Sequence, residues 1–288
     1  MISSNVSSIS DADIVIVGVP DESKSKAPRK GARNGPDELR KAMKLSENFK
    51  RFRKIIPIMP MDGRLDNKKV FDFGNVKRDK LYETIIDIVS KNKIPVVIGG
   101  DHSVTSTSLK AIAEVTNKKI NLIYFDAHPD FVTSVKDYYG SVVSDSLGFI
   151  DMENSVFVGT RACEPEEVIN LKSHKSKVIN PLELHEIGST KTLKKIIDIC
   201  NPNVKKNQIY ISIDLDCLDP VFAPGISVPA PCGLSTIELT FLVKKILEKY
   251  HIIGCDIVEL SPTYDMNNVT ANFSARLLKE ILASIRLM

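Results

Sequence analysis

The sequence predicts an α/β fold, a mostly parallel sheet with helices on both faces. Two observations lead there. Short β-branched runs recur along the whole chain, and helical patterns separate one run from the next. The runs are Ile14–Val17, Pro95–Ile98, Ile120–Phe125, Ser155–Val158, Ile209–Ile213 and Ile252–Val258. Between them, Pro36–Ala42 carries proline and acids in a first turn, and Leu81–Lys91 is amphipathic. Ser235-Thr236-Ile237-Glu238 is a capping box that opens a helix running to Lys249. The final helix, Ala271–Ile285, lines up Leu277, Leu278, Ile281, Leu282 and Ile285 on one stripe that would pack on the sheet. No repeat and no Pro/Gly/Ser linker divides the chain, so residues 1–288 are expected to form one domain.

Composition excludes several classes of function. Hydrophobic residues make up 43% and charged residues 26% of the chain, an ordinary soluble balance. No apolar run approaches the roughly 18 residues that would suggest a membrane span. The start of the chain is polar and Ser-rich, without a signal-peptide pattern, so a cytoplasmic protein is expected. A net charge of +3 from 39 basic and 36 acidic residues gives no field to attract nucleic acid or a membrane surface. The lysines around 24–30, 118–119 and 205–206 read as solvated loops and helix ends. Cys163, Cys200, Cys217, Cys232 and Cys255 are scattered and contain no C-x-x-C pair, which predicts reduced, mostly buried thiols.

In open α/β sheets, ligands gather at the carboxyl ends of the strands. The polar clusters of this chain fall there. Gly99-Gly100-Asp101-His102 follows one run, Asp126-Ala127-His128-Pro129-Asp130 the next, Asp214-Leu215-Asp216 a third, and Glu259 a fourth. An extended chain leaving a strand would aim Asp126, His128 and Asp130 to one side, and Asp214 and Asp216 repeat that spacing. Singly, each motif has an ordinary use as a helix cap or turn. Together, four crowded carboxylates would repel unless cations neutralised them. With His102 and His128 they make an oxygen and nitrogen ligand set without thiolate, which suits two Mn²⁺ ions.

Three stretches, Gly99-Gly100-Asp101-His102-Ser103, Asp126 to Asp130, and Ser212-Ile213-Asp214-Leu215-Asp216-Cys217-Leu218-Asp219-Pro220, resemble the metal-binding signatures of the arginase/agmatinase ureohydrolases. The resemblance extends to Gly31–Pro36, Val158-Gly159-Thr160-Arg161 and Glu259-Leu260-Ser261-Pro262. It implies a three-layer α/β/α fold and release of urea from a small guanidino substrate, agmatine first among the candidates and yielding putrescine. Arginine, guanidinobutyrate and formiminoglutamate are alternatives, as is a metal-binding relative without activity. It implies two Mn²⁺ per chain: His102 and Asp130 on one, His128 and Asp216 on the other, with Asp126 and Asp214 bridging. It also implies Asp130 as proton carrier, Glu259 as partner of the guanidinium, and a homo-oligomer, trimer or hexamer.

The chain departs from the family in the loop after Asp130, where relatives carry a further histidine. Here residues 136–150 read KDYYGSVVSDSLGFI. With an insertion the counterpart is Asp145, and without one it is Val142 or Val143. An acid at 145 over the metals would favour a substrate with a cationic tail. Glu164 is a second candidate for that tail, or else the start of a helix continued by Pro165-Glu166-Glu167. An aspartate-based phosphatase using Asp214 and Asp216 with Mg²⁺ alone is a rival from another class, but it would not need the two histidines.

Overall fold

A computed structural model describes residues 5–45, 48–51, 54–62, 68–200 and 208–287. Among them one parallel sheet is built from β1 (Ile14–Gly18), β4 (Val70–Asn75), β5 (Ile94–Ile98), β6 (Ile120–Phe125), β7 (Val156–Val158), β8 (Lys177–Ile179), β9 (Gln208–Asp214) and β10 (Ile252–Val258). Its order is β4-β1-β5-β10-β9-β6-β7-β8. Strands β2 (Asn48–Arg51) and β3 (Lys54–Pro57) pair separately as an antiparallel hairpin. All six predicted runs are strands of the sheet. The four that precede the polar clusters, β5, β10, β9 and β6, are adjacent at its centre.

The strands are continuous apolar runs because both faces are covered. Ile14 and Ile16 enter one core, and Val15 and Val17 enter the other, as a period of two requires. Helices α1 (Gly35–Leu45), α6 (Pro181–Ile187), α7 (Ser189–Cys200), α8 (Thr236–Lys249) and α9 (Val269–Ser284) bury residues in the first core. On the other side lie α2 (Arg78–Ser90), α3 (Val104–Thr116) and α4 (Val142–Ser146). Helix α5 (Pro165–Ser173) follows the short strand β7, which lies between β6 and the edge strand β8. Each aliphatic side chain fully buried this way contributes about 1.5–3 kcal/mol of transfer free energy. In α9, Leu277, Leu278, Ile281 and Ile285 are buried as the stripe predicts, with Leu282 partly buried against the same core.

Edge elements were the hardest to read. Strands β4 and β8 lie at opposite margins of the sheet, and their alternating or short patterns carry little apolar signal. The capping box at Ser235 is formed: its hydroxyl bonds with Glu238, whose carboxylate accepts the Ser235 N–H at 2.8 Å. Lys118 and Lys119 are exposed as expected, and Lys205 and Lys206 lie outside the described residues. Lys24 departs from the solvated reading, since its ammonium pairs with Asp137. Cys200, Cys217 and Cys255 are buried, Cys163 is half-buried and Cys232 exposed, all as free thiols. No described helix is long and apolar enough to cross a membrane.

Candidate active site

The strand order brings sequence-distant motifs onto one rim. His102 arrives from β5 and is 1% exposed, because the Gly99-Gly100 turn lies close under the loop that follows β1. A Cβ on Gly100 would collide with the Asp21 carbonyl, so glycine is required there. Buried Asp101 ties the same turn to that loop by accepting the Lys24 N–H at 3.0 Å.

Asp126 and Asp214 leave β6 and β9 in the same local geometry. Asp126 Oδ1 accepts the His128 N–H at 2.6 Å, and Asp214 Oδ1 accepts the Asp216 N–H at 2.8 Å. These are Asx turns, which corrects the extended geometry expected from the i, i+2 spacing. An aspartate at a strand end satisfies the next free N–H with its own side chain, and that folds the chain back. Asp216 Oδ1 then accepts the Ala127 N–H at 3.0 Å, joining the two turns. Asp130 adopts a left-handed φ of 46°, and Glu259 one of 65°. Two of the acids singled out by sequence therefore occupy conformations that ordinary residues avoid, a feature that accumulates at functional sites.

The cluster closes as follows. His102 Nδ1 lies 3.0 Å from Asp126, 3.1 Å from Asp130 and 3.1 Å from Asp214. His128 Nδ1 lies 3.0 Å from Asp216 and 3.5 Å from Asp126. His128 keeps 23% of its side chain exposed, so the cluster opens to solvent on that side. Burial opposes charge on both imidazoles. The surrounding carboxylates nonetheless raise His102 and His128 well above the ordinary histidine range. Burial and neighbouring acids push Asp126 up to about 7 and Asp214 well above normal. Asp216 resists burial because His128 faces it, and falls to about 2.

The donor set fits divalent ions. His102, Asp126 and Asp214 offer ligand atoms within 4.8 Å of one another, as do Asp126, His128 and Asp216, so Asp126 belongs to both groups. Asp126 Oδ2 is buried without an aligned hydrogen bond. Asp130 stands beside the first group, with Oδ2 accepting from the Tyr124 phenol at 2.6 Å.

Glu259 sits next to the cluster at the end of β10. Its Oε1 accepts the His102 N–H at 3.0 Å, and its Oε2 is buried without an aligned hydrogen bond, although the Ser227 hydroxyl bears on the carboxylate. Burial, with Asp101 adding, pushes its carboxyl up to about 8 against the opposing pull of Ser227 and His102. Burial therefore disfavours the ionised form, a penalty that an arriving cation would offset. The buried oxygen and that penalty together describe a receptor for positive charge.

The surrounding loops carry residues legible in the sequence only as a strand end and a helix start. The Arg161 guanidinium donates to the carbonyls of Gly159, Asp216, Cys217, Leu218, Ala230 and Pro231, which fixes the chain after β9. Glu167 accepts the Phe131 N–H at 3.0 Å, and Glu166 accepts the Thr133 and Ser134 N–H groups at 2.8 Å. The loop after Asp130 is thus pinned by α5. Glu164 is exposed at the N-cap of α5, its N–H donating to Glu167, so of its two sequence roles the helix start is observed.

Asp145 lies in α4, and its carboxylate accepts the Asp137 N–H at 2.9 Å and the Ser141 hydroxyl at 2.6 Å. It braces the loop, so of the counterparts left open by the sequence, Asp145, Val142 and Val143, Asp145 has its carboxylate engaged within the loop. Tyr139, half-buried in the turn Tyr139–Ser141, is the loop residue that feels the charges of Asp130, Glu259 and His128. The signal available was the Tyr138-Tyr139-Gly140 triplet, an aromatic pair in an otherwise polar loop.

A parallel α/β sheet that gathers two imidazoles and five buried or partly buried acids at adjacent strand ends defines an enzyme class built around polar, cation-compatible centres. The profile of the arginase family matches residues 12–284. The agmatinase of Neisseria meningitidis is 31% identical over 284 residues, spanning 95% of this chain and 87% of that protein. Two crystal structures superpose closely. A hypothetical agmatinase from Burkholderia thailandensis gives a TM-score of 0.82 at 29% identity, covering 96% of this chain and 86% of its own. The agmatine ureohydrolase of Thermoplasma volcanium gives 0.80 at 26%, covering 98% and 93%. The chain belongs to the arginase family of ureohydrolases.

Proposed function

We propose that residues 1–288 act as a single ureohydrolase domain that cleaves agmatine to putrescine and urea at a centre of two Mn²⁺ ions. The observation that carries the reading is the junction of two ligand groups through Asp126, with the buried Oε2 of Glu259 beside them. His102 and Asp130 would hold one ion and His128 and Asp216 the other, with Asp126 and Asp214 shared. When bound, the ions supply the positive charge that allows water to ionise near neutral pH.

The chain's own residues perform the remaining steps. Glu259 pairs with the substrate guanidinium and orients its carbon toward the cluster. Asp130 takes a proton from the attacking water as the new C–O bond forms. It returns that proton to the substituted nitrogen, so that the C–N bond breaks with loss of an amine in place of a poor amide anion. The second water proton follows, giving urea and a primary ammonium. Glu164 and Glu166, at the start of α5 beside the loop, act on the Tyr138 phenol and make that side of the loop acidic. An acidic rim favours agmatine's cationic tail over the carboxylate tails of guanidinobutyrate and formiminoglutamate.

The test is urea release by Mn²⁺-loaded protein from agmatine, arginine, guanidinobutyrate and formiminoglutamate, with metal content measured on the same sample. Preference for agmatine with close to two Mn²⁺ per chain supports the proposal. Equal or greater turnover of a carboxylate-tailed substrate overturns the choice of agmatine, and absence of turnover on all four overturns the activity.

A further inference from the structure

Beneath the cluster, on the α2 and α3 side of the sheet, the central strands carry two polar residues within largely apolar runs. Ser212 of β9 and Asp256 of β10 are partners in parallel register, and both are fully buried. Ser212 Oγ donates to Asp256 Oδ1 at 2.7 Å, and the Ile213 N–H reaches the same oxygen at 3.3 Å. Asp256 Oδ2 accepts from Thr105 Oγ1 and from the Tyr210 phenol, both at 2.8 Å. Four donors converge on one carboxylate that no water reaches, an arrangement whose desolvation cost only complete hydrogen bonding offsets.

The consequence for His102 is directional. Asp256 is an acceptor only, so it draws the Ser212 hydrogen toward itself and leaves the Ser212 oxygen with lone pairs outward. His102 Nε2 lies 2.9 Å from that oxygen and must be the donor. Nδ1, on the opposite edge of the ring, then faces Asp126, Asp130 and Asp214 with a lone pair whenever the imidazole is neutral. Stacking on Tyr124, at 4.8 Å between ring centres and 4° between planes, fixes the remaining rotation.

We propose that Asp256 is a positioning residue: through Ser212 it holds His102 in the tautomer and orientation that present Nδ1 to a divalent ion, and thereby sets the affinity for that ion. This inference rests on the metal-centre reading above. Outer partners of metal-bound imidazoles typically change affinity by about 10- to 100-fold when removed, because the ring loses both its tautomer and its angle.

The experiment titrates Mn²⁺ alone into metal-free protein by calorimetry, for wild type, Ser212→Ala, Ser212→Thr, Asp256→Asn, the Ser212→Ala/Asp256→Asn double variant, and Thr105→Val. Circular dichroism and thermal midpoints of the metal-free proteins report folding. Wild type is expected to bind two ions. Ser212→Ala and Asp256→Asn each weaken one of them by about 10- to 100-fold and spare the other. The double variant binds no worse than Ser212→Ala, since Asp256 acts through Ser212, and Ser212→Thr, which keeps the hydroxyl, restores affinity.

Thr105→Val removes a different donor from the same carboxylate. It lowers the thermal midpoint without weakening either ion, which a purely structural role for Asp256 does not predict. Folded Ser212→Ala with wild-type affinity for both ions overturns the proposal, as does an equal loss from Asp256→Asn in the Ser212→Ala background. If Asp256→Asn does not fold, equal affinities of Ser212→Ala and Ser212→Thr overturn it. A wild-type chain that binds no Mn²⁺ defeats the metal-centre reading itself and the inference with it.

Discussion

The Tyr124 phenol donates to Asp130 Oδ2 at 2.6 Å while its ring lies flat against His102. One side chain thus orients the proposed proton carrier and packs the proposed first ligand. Tyr124 is fully buried, so its hydroxyl has no water to replace that partner. Tyr124→Phe keeps the stacking and removes the donor to Asp130 together with a hydroxyl oxygen 3.1 Å from His102 Nδ1. We expect kcat for urea release to fall about tenfold, KM to change little and both metals to be retained, since a hydrogen bond to a charged group is worth about 1.5–3 kcal/mol. Steady-state kinetics with metal analysis decide this, and an unchanged kcat removes Tyr124 from the mechanism.

Glu259→Gln tests the guanidinium receptor. The amide can still accept the His102 N–H, so the turn at residue 259 should survive with its left-handed backbone. It cannot match a carboxylate against a cation, and kcat/KM is expected to fall about 100-fold or more. Metal stoichiometry should stay at the wild-type value. Loss of metal in this variant would move Glu259 into the coordination shell.

Most of the fold was legible because central parallel strands are apolar on both faces and leave a plain mark, as Ile14–Gly18 and Ile120–Phe125 do. The site was legible because its acids and imidazoles follow those strands directly. What escaped notice is what the period of two hides. Ser212 and Asp256 sit inside runs read as core, and only the register of β9 against β10 makes them partners. Asp145 stayed open against Val142 and Val143, and Tyr139 was not singled out, for a different reason. A loop's side chains are aimed by its hydrogen bonds, here those from Asp137 and Ser141 to Asp145, and no periodicity announces them.

Metal uptake should depend steeply on pH. In the metal-free chain His102 and His128 hold their protons far above the usual histidine range, Asp214 is raised, and Asp126 lies at about 7. Ligands must be deprotonated to bind, so uptake releases protons and weakens as pH falls. The sign is the same for both residue types, because each raised value favours the protonated form that the ion must displace. At pH 7 we expect release of about two or more protons per chain. Calorimetry in buffers of different ionisation enthalpy measures this count directly. A count near zero contradicts the ligand assignment.

The last prediction concerns the loop after Asp130. Asp145 holds the turn carrying Tyr138 and Tyr139 by accepting from Asp137 N–H and Ser141 Oγ, and Tyr139 is the group placed near Asp130, Glu259 and His128. The two residues should therefore fail in different ways. Asp145→Ala frees two donors on a partly exposed turn, a change that costs about 1–2 kcal/mol locally. It should speed amide exchange at Asp137 and Ser141 and raise KM for every guanidino substrate alike, because it disorders the loop without touching the ligand. Tyr139→Phe leaves the loop ordered and removes one hydroxyl whose charge state responds to Asp130, Glu259 and His128. It should alter the ratio of kcat/KM between agmatine and arginine, whose tails differ beside that loop, by about 10-fold. Exchange rates measured by mass spectrometry and the two-substrate comparison separate these outcomes. If Asp145→Ala changes the substrate ratio while amide exchange stays at the wild-type rate, then Asp145 meets the substrate directly and the bracing role assigned to it is wrong.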